Sequence, residues 1–298
     1  MTKSRLSSKN LARAARNSLL LIIGILLFSG CSSSTKPTFD KKDIEQAVQD
    51  ICLKESQIEI KTKIVGSTFW LYLPVEGMLV KDEKPKKYTI KFVVEQLVAR
   101  LTENKLRVYY LIKAIPPKEE TQEYKYNKKV LDKMYAVLVA LRRVIFSLDR
   151  SKEKEPQFYC MVTADIRDGF EIQEISHYLD LKKLSYGLMS STEYQHRTPQ
   201  DARADPKIIG DKTGSHILYK DITMADFVIQ QIEHRIKLKF QKGEFGKKAD
   251  IDKEVLKATV YTIKAYDFKD FDEVELYNLA TNNKVTLNRA AIFATSPD

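Results

Sequence analysis

Residues 127–148 carry the most demanding pattern in this chain. Val130, Val137 and Val144 recur every seven residues, as do Met134, Leu141 and Leu148, and Leu131, Leu138 and Ile145 widen the stripe. This spacing predicts an amphipathic helix of about six turns. A coiled-coil seam is narrow, whereas this apolar face is broad, so the pattern favours a helix lying across a sheet over one that recruits a partner. The chain must therefore supply a sheet with an apolar face.

Several segments can build it. Ile58, Ile60 and Ile64 fall on even positions of residues 57–65, as one face of a strand requires. Residues 67–75 hold the unbroken run Phe69-Trp70-Leu71-Tyr72-Leu73, the signature of a central strand, ended by Pro74. Residues 157–166 and 170–179 flank Asp168-Gly169, a hairpin turn. Residues 88–101 and 106–115 read as a second hairpin, although Val93, Leu97 and Leu101 also fit a helix. The charged run 81–87 with Pro85 reads as a surface loop, and Pro116-Pro117 as a stop. A helix over residues 40–55, capped by Asp40, precedes the strands. Short helices at 180–186 and 191–197 follow them.

The remainder reads as a separate unit. Residues 198–221 are aperiodic and rich in Gly, Pro and Asp, as a linker or mobile loop would be. Thr223 can cap a helix whose apolar line is Ile229, Ile232, Ile236 and Phe240, and Asp250 can cap a second helix to residue 266. A last hairpin turns at Asn282-Asn283. The expected class is α+β: a mixed or antiparallel sheet packed by a long helix in residues 39–197, then a helical hairpin with a terminal β-hairpin in residues 222–298.

The N-terminus has its own logic. Lys3, Arg5, Lys9, Arg13 and Arg16 stand without an acidic neighbour ahead of an apolar run at residues 18–28, and small residues follow. This is the pattern of a secretory signal. The run is too short to cross a bilayer, which takes about 20 helical residues. Phe28-Ser29-Gly30-Cys31 resembles the lipobox of bacterial lipoproteins. The resemblance covers residues 1–31 and implies cleavage after Gly30, diacylglycerol on the Cys31 sulfur and acylation of the new amino terminus. Two or more acyl chains give stable membrane anchoring. Ser32 after the cysteine favours, by the same resemblance, the outer over the inner membrane. Residues 31–38 read as a flexible tether.

Removing residues 1–30 takes away half of the formal net charge of +10. What is left is a solubility charge and gives no reason to expect nucleic acid. Two cysteines remain, Cys52 and Cys160. An oxidising periplasm would let them form a disulfide, but both sit in apolar settings where a buried free thiol is ordinary.

No catalytic motif is complete in this sequence. Asp211-Lys212-Thr213-Gly214-Ser215 resembles the aspartyl-phosphate motif of P-type ATPases, without the partner motif or membrane helices. Ser151 and Lys154, with Lys212-Thr213-Gly214, resemble elements of penicillin-binding enzymes, but Ser151 sits in a charged run and the middle element is missing. His177, His196, His216 and His234 make no paired metal motif, and no metal or cofactor is expected. Glu174 and His177 lie on one strand at a spacing that puts them on opposite faces. Arg235, Lys237, Lys239, Lys242, Lys247 and Lys248 form a basic run that suits anionic lipid or glycan, or simply a solvated helix face. Trp70, Tyr72, Tyr109, Tyr110, Phe158 and Tyr159 suit core packing better than a ligand groove.

The expected role is a lipid-anchored envelope protein facing the periplasm, a non-enzymatic binding or assembly module with a protein or glycan partner. Two alternatives stay open. One is a periplasmic hydrolase, with Asp165, Glu193, His196 and Asp211 as first suspects. The other is a carrier of an apolar ligand, which needs an apolar cavity beneath the 127–148 helix.

Overall fold

The computed structural model describes residues 44–147, 156–241 and 250–294. The signal and tether, Gly30 and Cys31, the Asp40 cap, Leu148, the Ser151 motif, and Lys242, Lys247 and Lys248 lie outside them. In chain order the elements are α1 (Ile44–Ser56), β1 (Lys61–Val65), β2 (Thr68–Val75), β3 (Leu79–Thr102), β4 (Lys105–Tyr126), α2 (Lys128–Ser147), β5 (Phe158–Asp165), β6 (Phe170–His177), α3 (Tyr178–Ser185), α4 (Ser191–His196), β7 (Gln200–Ala204), α5 (Met224–Gln241), α6 (Ile251–Ala265), β8 (Glu273–Asn278), β9 (Asn283–Asn288) and α7 (Arg289–Ala294).

The protein is α+β, with two mixed sheets. One has the order β1-β2-β5-β6-β7, the other β3-β4-β8-β9. Parallel pairing occurs at β2/β5 and β4/β8, and all other pairs are antiparallel.

The uninterrupted apolar run of β2 is explained by its central place. Phe69, Leu71, Leu73 and Val75 pack with Val48 and Cys52 of α1 and with Val130, Val137, Leu141, Val144 and Ile145 of α2. Trp70 and Tyr72 point the other way, into a second core. The broad stripe of α2 therefore lies on the sheet, as its width predicts. Of that stripe Leu131 remains 43% exposed, at the edge of the contact.

The second core draws on both halves of the chain. Trp70, Phe158 and Cys160 of the first sheet, Phe92, Leu106, Tyr110 and Val274 of the second, and Phe227, Ile232, Phe240, Val255 and Ile263 of α5 and α6 belong to one cluster. Phe227 meets Phe158 at 5.2 Å between ring centroids, and Phe240 meets Phe92 at 5.4 Å. The described residues form one compact unit. The boundary expected after residue 221 is thus not a gap in the packing. The exposed face of β2 and β5 needs a cover, and α5 and α6 supply it.

The segment expected as a linker is built into the sheet. Residues 200–204 are the edge strand β7, paired with β6. Ile209 is buried. Lys220 O accepts the indole N–H of Trp70 at 2.8 Å, Asp211 O accepts the Tyr72 hydroxyl at 2.7 Å, and Asp221 Oδ1 accepts Ser67 N–H at 2.8 Å. Gly66, at φ +57°, lies so close beneath Asp221 that a Cβ there would overlap the carboxylate.

The β3–β4 hairpin is far longer than the sequence suggests, because neither residues 81–87 nor Pro116-Pro117 interrupts it. The ladder absorbs both at irregularities: register shifts fall between Lys81 and Lys86, which contains Pro85, and between Ile90 and Phe92, opposite Pro116 and Pro117. A residue without an N–H fits where the ladder skips a bond. At the tip Glu103 and Asn104 take positive φ.

Helix starts follow the expected chemistry. Thr223 Oγ1 accepts Asp226 N–H while Asp226 Oδ2 accepts Thr223 N–H, both at 3.1 Å, and Asp250 caps α6 through Lys253 N–H. For α4 the cap is Ser190, whose side chain accepts Glu193 N–H. Helix α7 was not anticipated. Among the described residues no helix is long and apolar enough to cross a membrane.

Candidate functional site

Strand β6 carries a glutamate on each side of the first sheet, and a cavity lies at each. On the side of α2, a cavity of about 90 Å³ separates the helix from the sheet. Its apolar walls are Leu71, Val137, Leu138, Leu141, Met161 and Leu181, and its polar end holds Glu174, Ser176, Tyr194 and Gln200. The walls arise from alternation: Met161 of β5 and Leu71 of β2 share a face with Glu174 and Ser176 of β6. Ser176 Oγ and Tyr194 Oη are 2.7 Å apart. Gln200 Nε2 donates to Glu174 Oε1 at 2.6 Å. Burial raises the Glu174 carboxyl above the usual range, only partly offset by the Gln200 amide, and burial pushes the Tyr194 phenol up to about 12.

On the opposite side a polar cleft of about 250 Å³ is bounded by Trp70, Glu171, Gln173, Asp201, Arg203 and His216. Glu171 accepts from Arg203 at 2.6 Å and pairs with His216 Nε2 at 2.7 Å. The His216 ring stands edge-on to Tyr72, 5.9 Å between centroids, and its Nδ1 is buried without a partner. A histidine oriented by a carboxylate is one part of a proton-transfer pair. The hydroxyls of Thr213 and Ser215, in the same segment as His216, are both spent on Asp211.

The four hydrolase suspects are not brought together. Asp165, 1% exposed, accepts Met78 N–H at 2.6 Å and the N–H groups of Arg167 and Asp168 at 3.2 Å, so it closes the β5–β6 turn and fixes the start of β3. Asp211 accepts from Thr213 N–H at 2.6 Å and Gly214 N–H at 2.7 Å, and the Ser215 and Thr213 hydroxyls hold its carboxyl below the usual range. It is the capping carboxylate of a turn. Glu193 takes Arg197 at 2.6 Å, Arg235 at 3.0 Å and the Tyr261 hydroxyl at 3.2 Å. Burial opposes its ionisation, but the two guanidinium groups outweigh that and keep the carboxyl low. The His196 carbonyl accepts Gln231 Nε2 at 2.7 Å. None of the four lines either cavity.

Glu193 belongs to a larger ionic knot. Arg197 also reaches Asp180 at 3.2 Å, and Tyr266 donates to Asp180 at 2.7 Å. Through these residues α3, α4, α5 and α6 are tied at one place. Part of the basic run of α5 is consumed here and nearby. Arg235 bonds Glu193 and lies 4.5 Å from the Tyr261 ring, and Lys239 pairs with Glu254.

Cys52 and Cys160 are buried free thiols. They lie in the two separate cores, on opposite faces of the sheet, so the disulfide considered from sequence does not form. Burial pushes the Cys52 thiol up to about 11, away from reactivity. Trp70, Tyr72, Tyr110, Phe158 and Tyr159 are core residues, while Tyr109 stacks on Tyr277 at 4.7 Å. Glu174 and His177 face opposite sides, as their spacing requires: His177 packs on Phe158 and Phe227 in the second core. Among the described residues no three His, Cys, Asp or Glu side chains are grouped to hold a metal ion.

Sequence reasoning missed both Glu171 and His216. Their separation by 45 positions leaves no local signal, and His216 lay in the segment read as a linker. Compared with protein-family models, curated proteins and solved structures, the chain matches none.

Proposed function

We propose that this chain is a lipid-tethered protein of the bacterial envelope, held through an acylated Cys31 with its body in the periplasm, on the outer membrane, and that the body binds or assembles with an envelope partner. The tether rests on the basic stretch, the short apolar run and the lipobox-like residues 28–31.

The assembly role rests on the β3–β4 ribbon. Among the described residues, the two strands pair only with each other over residues 81–90 and 118–125, because β8 joins β4 only along residues 105–110. Nearly every side chain of this stretch is exposed, on both faces. Tyr88 and Tyr124 stand 44% and 55% exposed. A two-stranded ribbon is marginal by itself in water, and its outer backbone groups are a template for a further strand. A second chain laid against this ribbon would complete it.

The test has two parts. Cys31→Ser is expected to free the protein from membranes under an alkaline wash, and unchanged retention would refute the tether. A photo-crosslinking residue at Tyr88 or Tyr124 is expected to give discrete adducts in the native envelope, while the same residue at exposed Leu188 does not. Equal labelling at all three positions, or none, removes the ribbon as the assembly surface.

A further inference from the structure

We propose that the cavity between α2 and the first sheet binds a small apolar molecule bearing a cationic amine, with Glu174 as its counter-ion. The site requires neither the tether nor the ribbon.

Size sets the first limit. An apolar cavity of about 150 Å³ stays dry and accepts benzene. A cavity of about 90 Å³ therefore takes a chain of about four carbons. Leu71, Val137, Leu141 and Met161 offer such a chain apolar contact and offer water no hydrogen bond.

Charge sets the second. Glu174 and Glu171 belong to the same strand, but Glu171 has Arg203 and His216 while Glu174 has only the neutral amide of Gln200. Among the described residues no cation reaches Glu174. Glu174 is half-buried, and a carboxylate partly withdrawn from water without a positive partner is destabilised, which an ammonium group brought by a ligand would relieve. The Ser176 and Tyr194 oxygens stand at the same end of the cavity and can accept further N–H bonds. Burial raises the Glu174 carboxyl while the site is empty, and a cation placed beside it would lower it again.

The experiment uses the full chain in lipid nanodiscs, labelled at methionine methyl groups, with n-butylammonium and 1-butanol as probes. Met161 lines the cavity, and Met224 at the start of α5 is the remote reference. Butylammonium is expected to shift the Met161 signal saturably, with 1-butanol at least about tenfold weaker. Glu174→Gln is expected to abolish that preference, and Val137→Phe, which fills the cavity, to abolish both responses. Should Val137→Phe unfold the protein, Leu138→Phe takes its place. Equal affinity for the two probes, a preference that survives Glu174→Gln, a Met161 response indifferent to the filled cavity, or no response to either probe overturns the proposal.

Discussion

Glu171 and Glu174 stand three residues apart on β6 and face opposite sides of one sheet, the first between Arg203 and His216, the second against a single amide. Opposite responses to the same isosteric change follow. Glu171→Gln leaves Arg203 and His216 without their carboxylate, and is expected to cost about 1–3 kcal/mol. Glu174 is the reverse case. Burial raises its folded-state value above 4.5, so the folded form holds its proton more tightly than the unfolded chain. Stability then falls as pH rises past 4.5. Glu174→Gln removes that loss and is expected to raise the melting temperature at neutral pH, with no gain below 4.5. Melting curves of the two variants across this range are the check.

A second pH effect has the opposite sign. Burial pushes His234 from 6.5 down to about 4, against the favourable Gln195 carbonyl at 3.3 Å and with the charges of Arg235, His196 and Lys237 adding to the depression. As pH falls below 6.5 the unfolded chain takes up a proton that the folded state refuses until about 4. Stability is therefore intact above 6.5, declines through the window, and the loss is complete below about 4. In His234→Gln the slope of melting temperature against pH between those limits should be shallower. An unchanged slope would show that His234 is not the group responsible.

The single core spanning both halves predicts cooperative unfolding. Phe227 packs against Phe158, His177 and Tyr266 at 5.2, 5.7 and 5.0 Å. Phe227→Ala should cost about 3–5 kcal/mol. Because Trp70 is the chain's only tryptophan and shares this cluster from the first sheet, its fluorescence should report the loss together with far-UV circular dichroism, in one transition. Had the C-terminal segment been an independent unit, Trp70 would unfold at its original temperature.

The elements with strong local periodicity were legible. The width of the α2 stripe, the alternation in β1 and the caps Thr223 and Asp250 depend on neighbours a few residues away. The unbroken run Phe69–Leu73 signalled a strand buried on both faces, but not that α5, some 150 positions later, supplies one cover. The prolines are ambiguous in sequence for a related reason. Pro85 and Pro116-Pro117 break a regular ladder, and only the paired strand shows that the ladder is irregular where they fall. The cavities were the least legible, since the sheet alone brings Glu171 to His216 and places Glu174 on the same cavity as α2 and α4. Asp165 and Asp211 are of a type that suits catalysis, and residue type does not show that backbone N–H groups already occupy their oxygens.

Those prolines and the charges around them give the last prediction. A long two-stranded ribbon with open edges would pair with any exposed strand it met, and folded proteins suppress this with Pro, Lys and bulges at the edge. Here Pro116, Pro117 and Lys118 sit together beside a register shift, and Lys87 pairs with Glu119 across the strands. Replacing the three residues by β-formers that can donate N–H bonds (Pro116→Thr, Pro117→Val, Lys118→Thr) regularises the edge. The variant should self-associate through the ribbon, seen as a concentration-dependent mass above that of the parent chain in light scattering. Restoring Lys118 alone should weaken this, because a charge at the edge is unfavourable inside a joined sheet. If the triple variant keeps the parent's mass at every concentration, edge protection is not what these residues supply, and the ribbon is less open to a partner strand than its exposure indicates.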